Sequence, residues 1–293
     1  MPSTYTTLIT VAQLQALQAS TQAVMVFDCS CDLMNPESGP AMYAQARIPG
    51  AVYAHLDQVL SAKGPRSETG AMSGGRHPLP PREKFAQWLA SVGFTNGMQA
   101  VAYDRNGANY CGRLWWMLKW LGHENVAVLD GGLQAWQAAG AAVEAGNAAA
   151  AQAASQPFAI HDPLVTLVDV SEVEQSLKTG GRHVVDARGA PRYRGETEPI
   201  DPVAGHIPGA LNRPFNQNIG ADGFFKPAAV LRAEFDALLG QRDAAQVVHH
   251  CGSGVSAVPN IIAMEVAGLG RTALFAGSWS EWCSDPSRPV AQG

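Results

Sequence analysis

The chain has 293 residues, of which 46% are hydrophobic and 15% are charged, and its formal net charge is −5. This composition is typical of a globular protein large enough for two domains, and the acidic balance argues against a nucleic-acid-binding surface. No run reaches the roughly 18 apolar residues of a membrane helix and no signal-peptide pattern is visible, so we expect a cytoplasmic protein without a membrane partner. The five cysteines, an odd and low number, indicate free thiols in a reducing compartment, and we interpret Cys29 and Cys31 as structural.

Short apolar segments alternate with helical segments along the whole chain. The predicted strands are Val24–Asp28, Ala100–Asp104, Val126–Leu129, His183–Asp186, Gln246–His250 and Thr272–Phe275. The predicted helices include Arg82–Ser91, Arg113–Leu121 and Ala257–Ala267. Near-continuous apolar strands that alternate with helices are typical of a mostly parallel sheet covered by helices on both faces. We therefore expect an α/β protein with its ligand site at the carboxyl ends of the strands.

A change in composition separates two halves of the chain. Residues 141–156 are rich in Ala, Gln and Gly, and they carry one charge and no bulky apolar side chain beyond Val143. Such a segment is typical of a linker. The sequence predicts an N-terminal domain over residues 1–142, a linker over 143–158 and a C-terminal domain over 159–293.

The two halves share landmarks in the same order. Ile-Pro-Gly-Ala occurs at 48–51 and again at 207–210, a separation of 159 positions. The strand that ends at Asp104 matches the one before Cys251 with an offset of 147, and the segments that end at Trp136 and Trp282 match with an offset of 146. The pattern indicates one α/β unit that occurs twice. Because Asp104 replaces the cysteine in the first copy, we predict that only the second copy is catalytic.

Cys251 opens a run of small residues between a predicted strand and a predicted helix. Backbone N–H groups at such a turn form a cradle for an anion, so we expect a thiolate nucleophile at neutral pH. The alternative is a small apolar residue that ends a buried strand, and the glycine-rich loop argues against it. His249 and His250 precede the cysteine, but strand neighbours point to opposite faces, so we expect no metal site here.

The duplicated halves, the paired Ile-Pro-Gly-Ala, the loop Cys251–Ser256 and the ending Gly277–Trp282 together resemble the tandem rhodanese-domain sulfurtransferases. This family includes 3-mercaptopyruvate and thiosulfate sulfurtransferases, and the resemblance covers nearly the whole chain. It implies two tandem rhodanese-like domains and no cofactor. It also implies that Cys251 takes a sulfane sulfur from a small donor as a persulfide. The sulfur would then pass to a thiol such as thioredoxin or glutathione, or to cyanide.

The loop resembles that of the mercaptopyruvate branch, Cys-Gly-Ser-Gly-Val-Thr, with Ser256 in the place of the threonine. By this resemblance Gly252, Gly254, Val255 and Ser256 bind the donor, and the Ser256 hydroxyl can hydrogen-bond the sulfur. Loops of the thiosulfate type usually carry Arg or Lys after the cysteine, whereas this loop carries no charge.

Arg192 matches the family's arginine for the donor carboxylate, which a guanidinium can bind through two parallel hydrogen bonds. The mercaptopyruvate enzymes often have a second arginine shortly before His-Ile-Pro-Gly, but the corresponding segment, Glu198–Gly205, has none. Thiosulfate as the main donor therefore remains an alternative.

The mercaptopyruvate branch also resembles a serine protease in one arrangement of side chains. By this resemblance Ser253, His77 and Asp57 form a catalytic group that delivers a proton to the enolate left when sulfur departs. The alternative for His77 is a loop histidine that binds a backbone carbonyl.

Two other classes of function compete with sulfur transfer. Cysteine phosphatases use a similar cradle, but they need an arginine about six residues after the cysteine, where this chain has Ala257. A non-catalytic rhodanese-like binding or regulatory protein is the other class, because many such domains have lost the cysteine.

Overall fold

The computed structural model describes residues 4–35, 37–64, 66–148 and 152–293. These residues form two compact α/β units. Unit 1 consists of Met1–Ala62, Pro80–Leu164 and Ala221–Phe224, and unit 2 consists of Lys63–Leu79, Val165–Gly220 and Phe225–Gly293.

Unit 1 is built on a five-stranded sheet in which all neighbouring strands are parallel. The strands are β1 (Leu8–Ile9), β2 (Val24–Asp28), β3 (Val52–Tyr53), β4 (Gln99–Tyr103) and β5 (Val126–Leu129), in the spatial order β1-β5-β4-β2-β3. The helices are α1 (Val11–Gln18), α2 (Ser38–Gln45), α4 (Arg82–Ser91), α5 (Cys111–Trp120) and α6 (Gly132–Ala138).

Unit 2 repeats this topology with a second five-stranded parallel sheet. Its strands are β6 (Leu167–Val168), β7 (His183–Asp186), β8 (Leu211–Asn212), β9 (Val247–His250) and β10 (Ala273–Phe275), in the order β6-β10-β9-β7-β8. Its helices are α3 (Arg66–Thr69), α7 (Val170–Thr179), α8 (Ala190–Tyr193), α9 (Ala228–Leu239), α10 (Val258–Val266) and α11 (Ser278–Trp282). Two 3₁₀ turns lie at Phe215–Asn218 and Ala244–Gln246. The predicted fold class, two domains with mostly parallel sheets, is confirmed.

The central strands are apolar because both faces of each sheet are covered. Every residue of β4, β5, β9 and β10 is buried. In unit 1 the core includes Val26, Val101 and Trp136, and in unit 2 it includes Val184, Val248 and Phe275. Each unit therefore has a hydrophobic core of its own.

The helices that cover the sheets carry large aromatic core residues. On α5, Trp115, Trp116 and Trp120 are buried, which agrees with their helical spacing. None of the described helices combines the length and the apolar character that a membrane span requires.

The contacts group three segments differently from the sequence-based domain limits of 1–142 and 159–293, and one of them is Ala221–Phe224, which groups with unit 1. Residues 152–164 group with unit 1, where Ala154 N–H donates to the carbonyl of Ala90 at 2.8 Å and His161 N–H to that of Leu121 at 2.9 Å. Residues 63–79 group with unit 2. Within the predicted linker, residues 149–151 lie outside the described residues, and the domain limits stay a prediction.

Candidate active site

The Cys251 loop lies at the carboxyl end of β9, between that strand and α10. Gly254 N–H donates to the Cys251 sulfur at 3.2 Å. The backbone of the cysteine is held by α11, because Cys251 N–H donates to Ser278 Oγ at 3.1 Å and Trp279 N–H donates to the Cys251 carbonyl at 3.0 Å. The loop therefore fixes the position of the sulfur and directs an N–H dipole at it.

Two residues beside the sulfur have left-handed backbone conformations. Gly254 has φ +78°, and a Cβ at this position would collide with the carbonyl of Ala276. Ser278 has φ +58°, and its hydroxyl donates to the Phe275 carbonyl at 3.0 Å while it accepts from Cys251. The glycine is required by the tight turn, and the serine hydroxyl links the ends of β9 and β10.

Ser253 and His77 are in direct contact. Ser253 Oγ lies 2.7 Å from His77 Nδ1, at hydrogen-bond distance, and both side chains are buried. His77 belongs to the segment Lys63–Leu79, which is part of unit 2. Arg76 N–H donates to Ser280 Oγ at 3.0 Å, which ties this segment to α11.

Of the other predicted site residues, Val255 and Ser256 lie in the cysteine loop and Asp57 lies in unit 1. Val255 is buried in the loop, and Ser256 is partly buried just before α10; the hydrogen bond from Ser256 to the sulfur stays a prediction. Asp57 lies in unit 1, where its backbone N–H donates to Nδ1 of His55 at 3.1 Å. Its catalytic role also stays a prediction.

Arg192 is bonded to two carboxylates on the segment that follows it. Its Nε and Nη2 donate to Glu198 at 3.1 and 2.6 Å, and Nη2 also donates to Asp201 at 3.1 Å. Arg76 donates to the other oxygen of Asp201. An alanine Cβ built at Gly252 would be 3.1 Å from Nη2 of Arg76 and 3.6 Å from both Nη atoms of Arg192. Both guanidinium groups therefore lie beside the cysteine loop.

Sequence reasoning missed Arg76. Its partner Asp201 is 125 positions away in the chain, and the segment that carries it is rich in Gly and Ser. The one available signal was its position next to His77. With Arg76 present, unit 2 has a second arginine at the loop, although the segment Glu198–Gly205 before its His-Ile-Pro-Gly has none.

A buried ion network lies at the ends of β7 and β9, where it joins Asp186, Arg188 and His250. Arg188 donates to both oxygens of Asp186, and its guanidinium stacks over the Trp279 ring at 4.6 Å. Burial opposes ionisation of Asp186, but the neighbouring His250 and Arg188 outweigh it and lower the pKa of this carboxyl. Burial lowers the pKa of His250, against the influence of Asp186. The network lies at the end of β9, because His250 is the last residue of that strand and directly precedes Cys251.

The matching turn of unit 1 is filled by its own carboxylate. Asp104 accepts four backbone hydrogen bonds: Oδ1 from Asn106 at 2.8 Å and Ala108 at 3.1 Å, and Oδ2 from Tyr110 at 2.8 Å and Cys111 at 3.0 Å. The backbone therefore forms the anion cradle in this copy as well, but a fixed internal anion occupies it.

The fold and the site define a protein of two repeated α/β domains with a cysteine at the strand-to-helix turn of the second. The model of the rhodanese-like domain matches residues 10–139 and 169–285. A probable 3-mercaptopyruvate sulfurtransferase of Pseudomonas aeruginosa is 43% identical over 283 residues, which cover 96% of this chain and 97% of that protein. A putative thiosulfate sulfurtransferase, SseB, of Mycobacterium tuberculosis is 37% identical over 286 residues, which cover 98% of this chain and 97% of that protein.

A solved structure of a sulfurtransferase has a similar fold over nearly the whole chain. The 3-mercaptopyruvate sulfurtransferase from Leishmania major superposes with a TM-score of 0.80 at 29% identity, covering 95% of this chain and 74% of that one. The chain belongs to the rhodanese-like family, as a tandem-domain sulfurtransferase.

Proposed function

We propose that the protein transfers the sulfur of 3-mercaptopyruvate through a persulfide on Cys251 to a thiol acceptor. The observation that carries the proposal is the pairing of a cysteine sulfur, held by the Gly254 N–H at 3.2 Å, with two guanidinium groups at the same loop. A nucleophilic sulfur and a carboxylate-binding group at one site match a small 2-oxo acid that carries a thiol.

The first step would make a sulfur–sulfur bond and break a carbon–sulfur bond. The Cys251 thiolate attacks the donor sulfur, and the electron pair of the carbon–sulfur bond stays on carbon as the enolate of pyruvate. Protonation of that carbon gives pyruvate. No external oxidant or reductant is needed. The donor sulfur loses two electrons when it becomes the outer sulfur of the persulfide, and the carbon that carried it gains them and becomes the methyl group of pyruvate.

The second step would return the enzyme to its thiol form. An acceptor thiolate attacks the outer sulfur of the persulfide, the sulfur–sulfur bond breaks, and Cys251 leaves as a thiolate. A small thiol such as glutathione, a protein thiol such as thioredoxin, or cyanide would serve as the acceptor. Cyanide would yield thiocyanate. A reducing compartment such as the cytoplasm suits this chemistry.

The hydrogen-bonded Ser253 and His77 would supply the proton that the enolate needs. Ser253 belongs to the cysteine loop, where it stands between the proposed donor-binding residues Gly252 and Gly254, and its hydroxyl lies 2.7 Å from His77. In this proposal His77 passes a proton through Ser253 to the enolate.

Arg192 and Arg76 would bind the donor carboxylate. Their side chains are 20% and 27% exposed, whereas Cys251 is only 2% exposed. A donor therefore would approach the enclosed sulfur from the side of the arginines, with its carboxylate on them. This enclosure favours a small donor and argues against a bulky phosphorylated substrate.

Thiosulfate is the second candidate donor. The relative from Mycobacterium tuberculosis carries the name thiosulfate sulfurtransferase, and guanidinium groups also bind inorganic anions. The uncharged loop and the close contact of both arginines with carboxylates favour mercaptopyruvate.

Cyanolysis tests the proposal directly. The protein is incubated with mercaptopyruvate or thiosulfate in the presence of cyanide, and thiocyanate and pyruvate are measured. We expect thiocyanate from mercaptopyruvate with the higher kcat/KM, no turnover in Cys251→Ser, and full turnover in Cys283→Ser as the control. Absence of thiocyanate from both donors would contradict sulfur transfer and favour a non-catalytic binding protein.

A further inference from the structure

The Asp201 carboxylate lies between the two guanidinium groups of the site. One oxygen bonds to Arg76 and the other to Arg192, the latter at 3.1 Å. Its side chain is only 3% exposed, so the carboxylate is the inner member of the cluster and the guanidinium groups are the outer members. Its backbone N–H donates to Glu198 at 3.1 Å, which fixes the turn that presents it.

The two carboxylates of this cluster differ in how firmly they are held. Glu198 accepts hydrogen bonds from Arg192, from Arg188 at 3.3 Å and from the backbone of Ile200 and Asp201. The bonds from Arg192 and from the backbone outweigh burial and lower its pKa. For Asp201, burial and the nearby Glu198 outweigh the two arginines, and its pKa is raised. Asp201 is the carboxylate that the two guanidinium groups share.

The formal charges of the cluster cancel. Arg76, Arg192 and Arg188 contribute three positive charges, and Glu198, Asp201 and Asp186, the second partner of Arg188, contribute three negative ones. The two guanidinium groups therefore carry no surplus positive charge, and their side chains are partly exposed.

We propose that Asp201 is a specificity-determining residue, which neutralises the arginine pair and so selects a donor with one negative charge over a dianion. This inference rests on the proposed function and names its donor class. A bound mercaptopyruvate brings the local charge to minus one, whereas thiosulfate brings it to minus two. In a partly buried site, where water screens charge poorly, the dianion is disfavoured more strongly.

The substitution Asp201→Asn tests this inference. It keeps the size of the side chain and removes one negative charge. We expect kcat/KM for thiosulfate to rise about five- to ten-fold, and that for mercaptopyruvate to change about two-fold or less. Glu196→Gln is the matched control, because Glu196 pairs with Arg194 on the exposed surface of the same segment. Asp201→Glu, which keeps the charge, should retain the wild-type ratio of the two donors.

Anion binding separates this inference from the proposed function. Calorimetry with pyruvate as the monoanion and sulfate as the dianion requires no sulfur transfer. We expect Asp201→Asn to lower the Kd of sulfate about five- to ten-fold more than it lowers the Kd of pyruvate. An unchanged ratio in Asp201→Asn, or an equal shift in Asp201→Glu, overturns the inference. A wild-type protein that binds both anions but transfers sulfur from neither donor overturns the proposed function and leaves the binding test of Asp201 valid.

Discussion

A carboxylate and a thiol occupy the same place in the two copies of this fold. In unit 1, the backbone donates four hydrogen bonds to Asp104, and in unit 2 the sulfur of Cys251 accepts the Gly254 N–H. In both copies backbone amides of this turn donate hydrogen bonds to the side chain that opens it. The difference in chemistry comes from one side chain, because a carboxylate cannot carry a sulfane sulfur.

The proton relay makes a prediction that depends on the donor. His77→Gln removes the imidazole that contacts Ser253, so in the proposed mechanism the enolate from mercaptopyruvate would lose its proton source. We expect kcat with mercaptopyruvate to fall about 10²- to 10³-fold. Thiosulfate releases sulfite, which needs no protonation at carbon, so its kcat should change less than about three-fold.

Ser253→Ala and the double variant complete this test. If the two residues act as one relay, the double variant should lose no more activity than His77→Gln alone. An equal loss with both donors would show instead that His77 only supports the loop. Steady-state kinetics with pyruvate and sulfite detection measures both outcomes.

The shape of the Arg192 guanidinium makes a separate prediction. Arg192→Lys keeps the positive charge but loses the planar pair of donors that suits a carboxylate. We expect KM for mercaptopyruvate to rise about ten-fold, with a smaller rise for thiosulfate. Arg194→Lys is the control, because Arg194 is exposed and pairs with Glu196. A rise of the same size for both donors would argue against carboxylate recognition by this residue.

The turns at Asp104 and Cys251 each follow the end of a central strand, and the buried strand fixes where the turn lies. β4 ends just before Asp104 and β9 just before Cys251, so each turn begins from a fully buried strand. The turn of unit 2 is held further by the backbone bond from Trp279 on α11 to Cys251. A change at Asp104 should therefore affect the stability of unit 1, and a change at Cys251 should affect catalysis in unit 2.

Asp104→Asn should destabilise unit 1. The amide group of asparagine would place an N–H against backbone N–H groups that now donate to Oδ2, at Tyr110 and Cys111. We expect the free energy of unfolding to fall by about 2–4 kcal/mol, because buried donors lose their acceptor. Urea denaturation measures the loss, with the exposed Asp162→Asn as control. A loss below about 0.5 kcal/mol would contradict the role of Asp104 as an internal anion.

His249 predicts how stability depends on pH. It is buried on β9, its Nε2 lies 3.1 Å from the Met264 sulfur, and burial lowers its pKa to about 3. In the unfolded chain the pKa is about 6.5, so the unfolded state binds more protons between these values. Stability should fall as the pH drops from 6.5 towards 3.

His249→Leu removes this source of pH dependence. Between pH 7 and pH 5 the variant should lose about 2 kcal/mol less unfolding free energy than the wild type. Urea midpoints at both pH values measure the difference, and His161→Gln, at an exposed histidine, serves as control. The same pH dependence in His249→Leu and wild type would contradict burial of a neutral imidazole.

At the scale of the whole molecule, the central strands and the repeat were predictable from sequence. β2, β5 and β7 begin and end at the predicted residues, because long apolar runs identify strands buried on both faces. The outer strands β1, β3, β6 and β8 have two residues each, too few to show a period. The sequence therefore predicted the sheets but not their edges.

The cysteine loop was predictable because its residues are adjacent in the chain. The ion cluster was not, because Arg76 and Asp201 meet only through the packing of residues 63–79 into unit 2. A segment rich in glycine and serine has no apolar pattern that would reveal where it folds. Long-range polar contacts of this kind require the structure.

The most direct test of the account is the mass of the donor-treated protein. We predict that mercaptopyruvate adds about 32 Da, one sulfur atom, to the peptide that contains Cys251, and that cyanide removes it again. Cys251→Ser should show no such addition. The account would be contradicted if the wild-type protein gained no sulfur at Cys251, or if Cys251→Ser gained the same mass and kept its turnover.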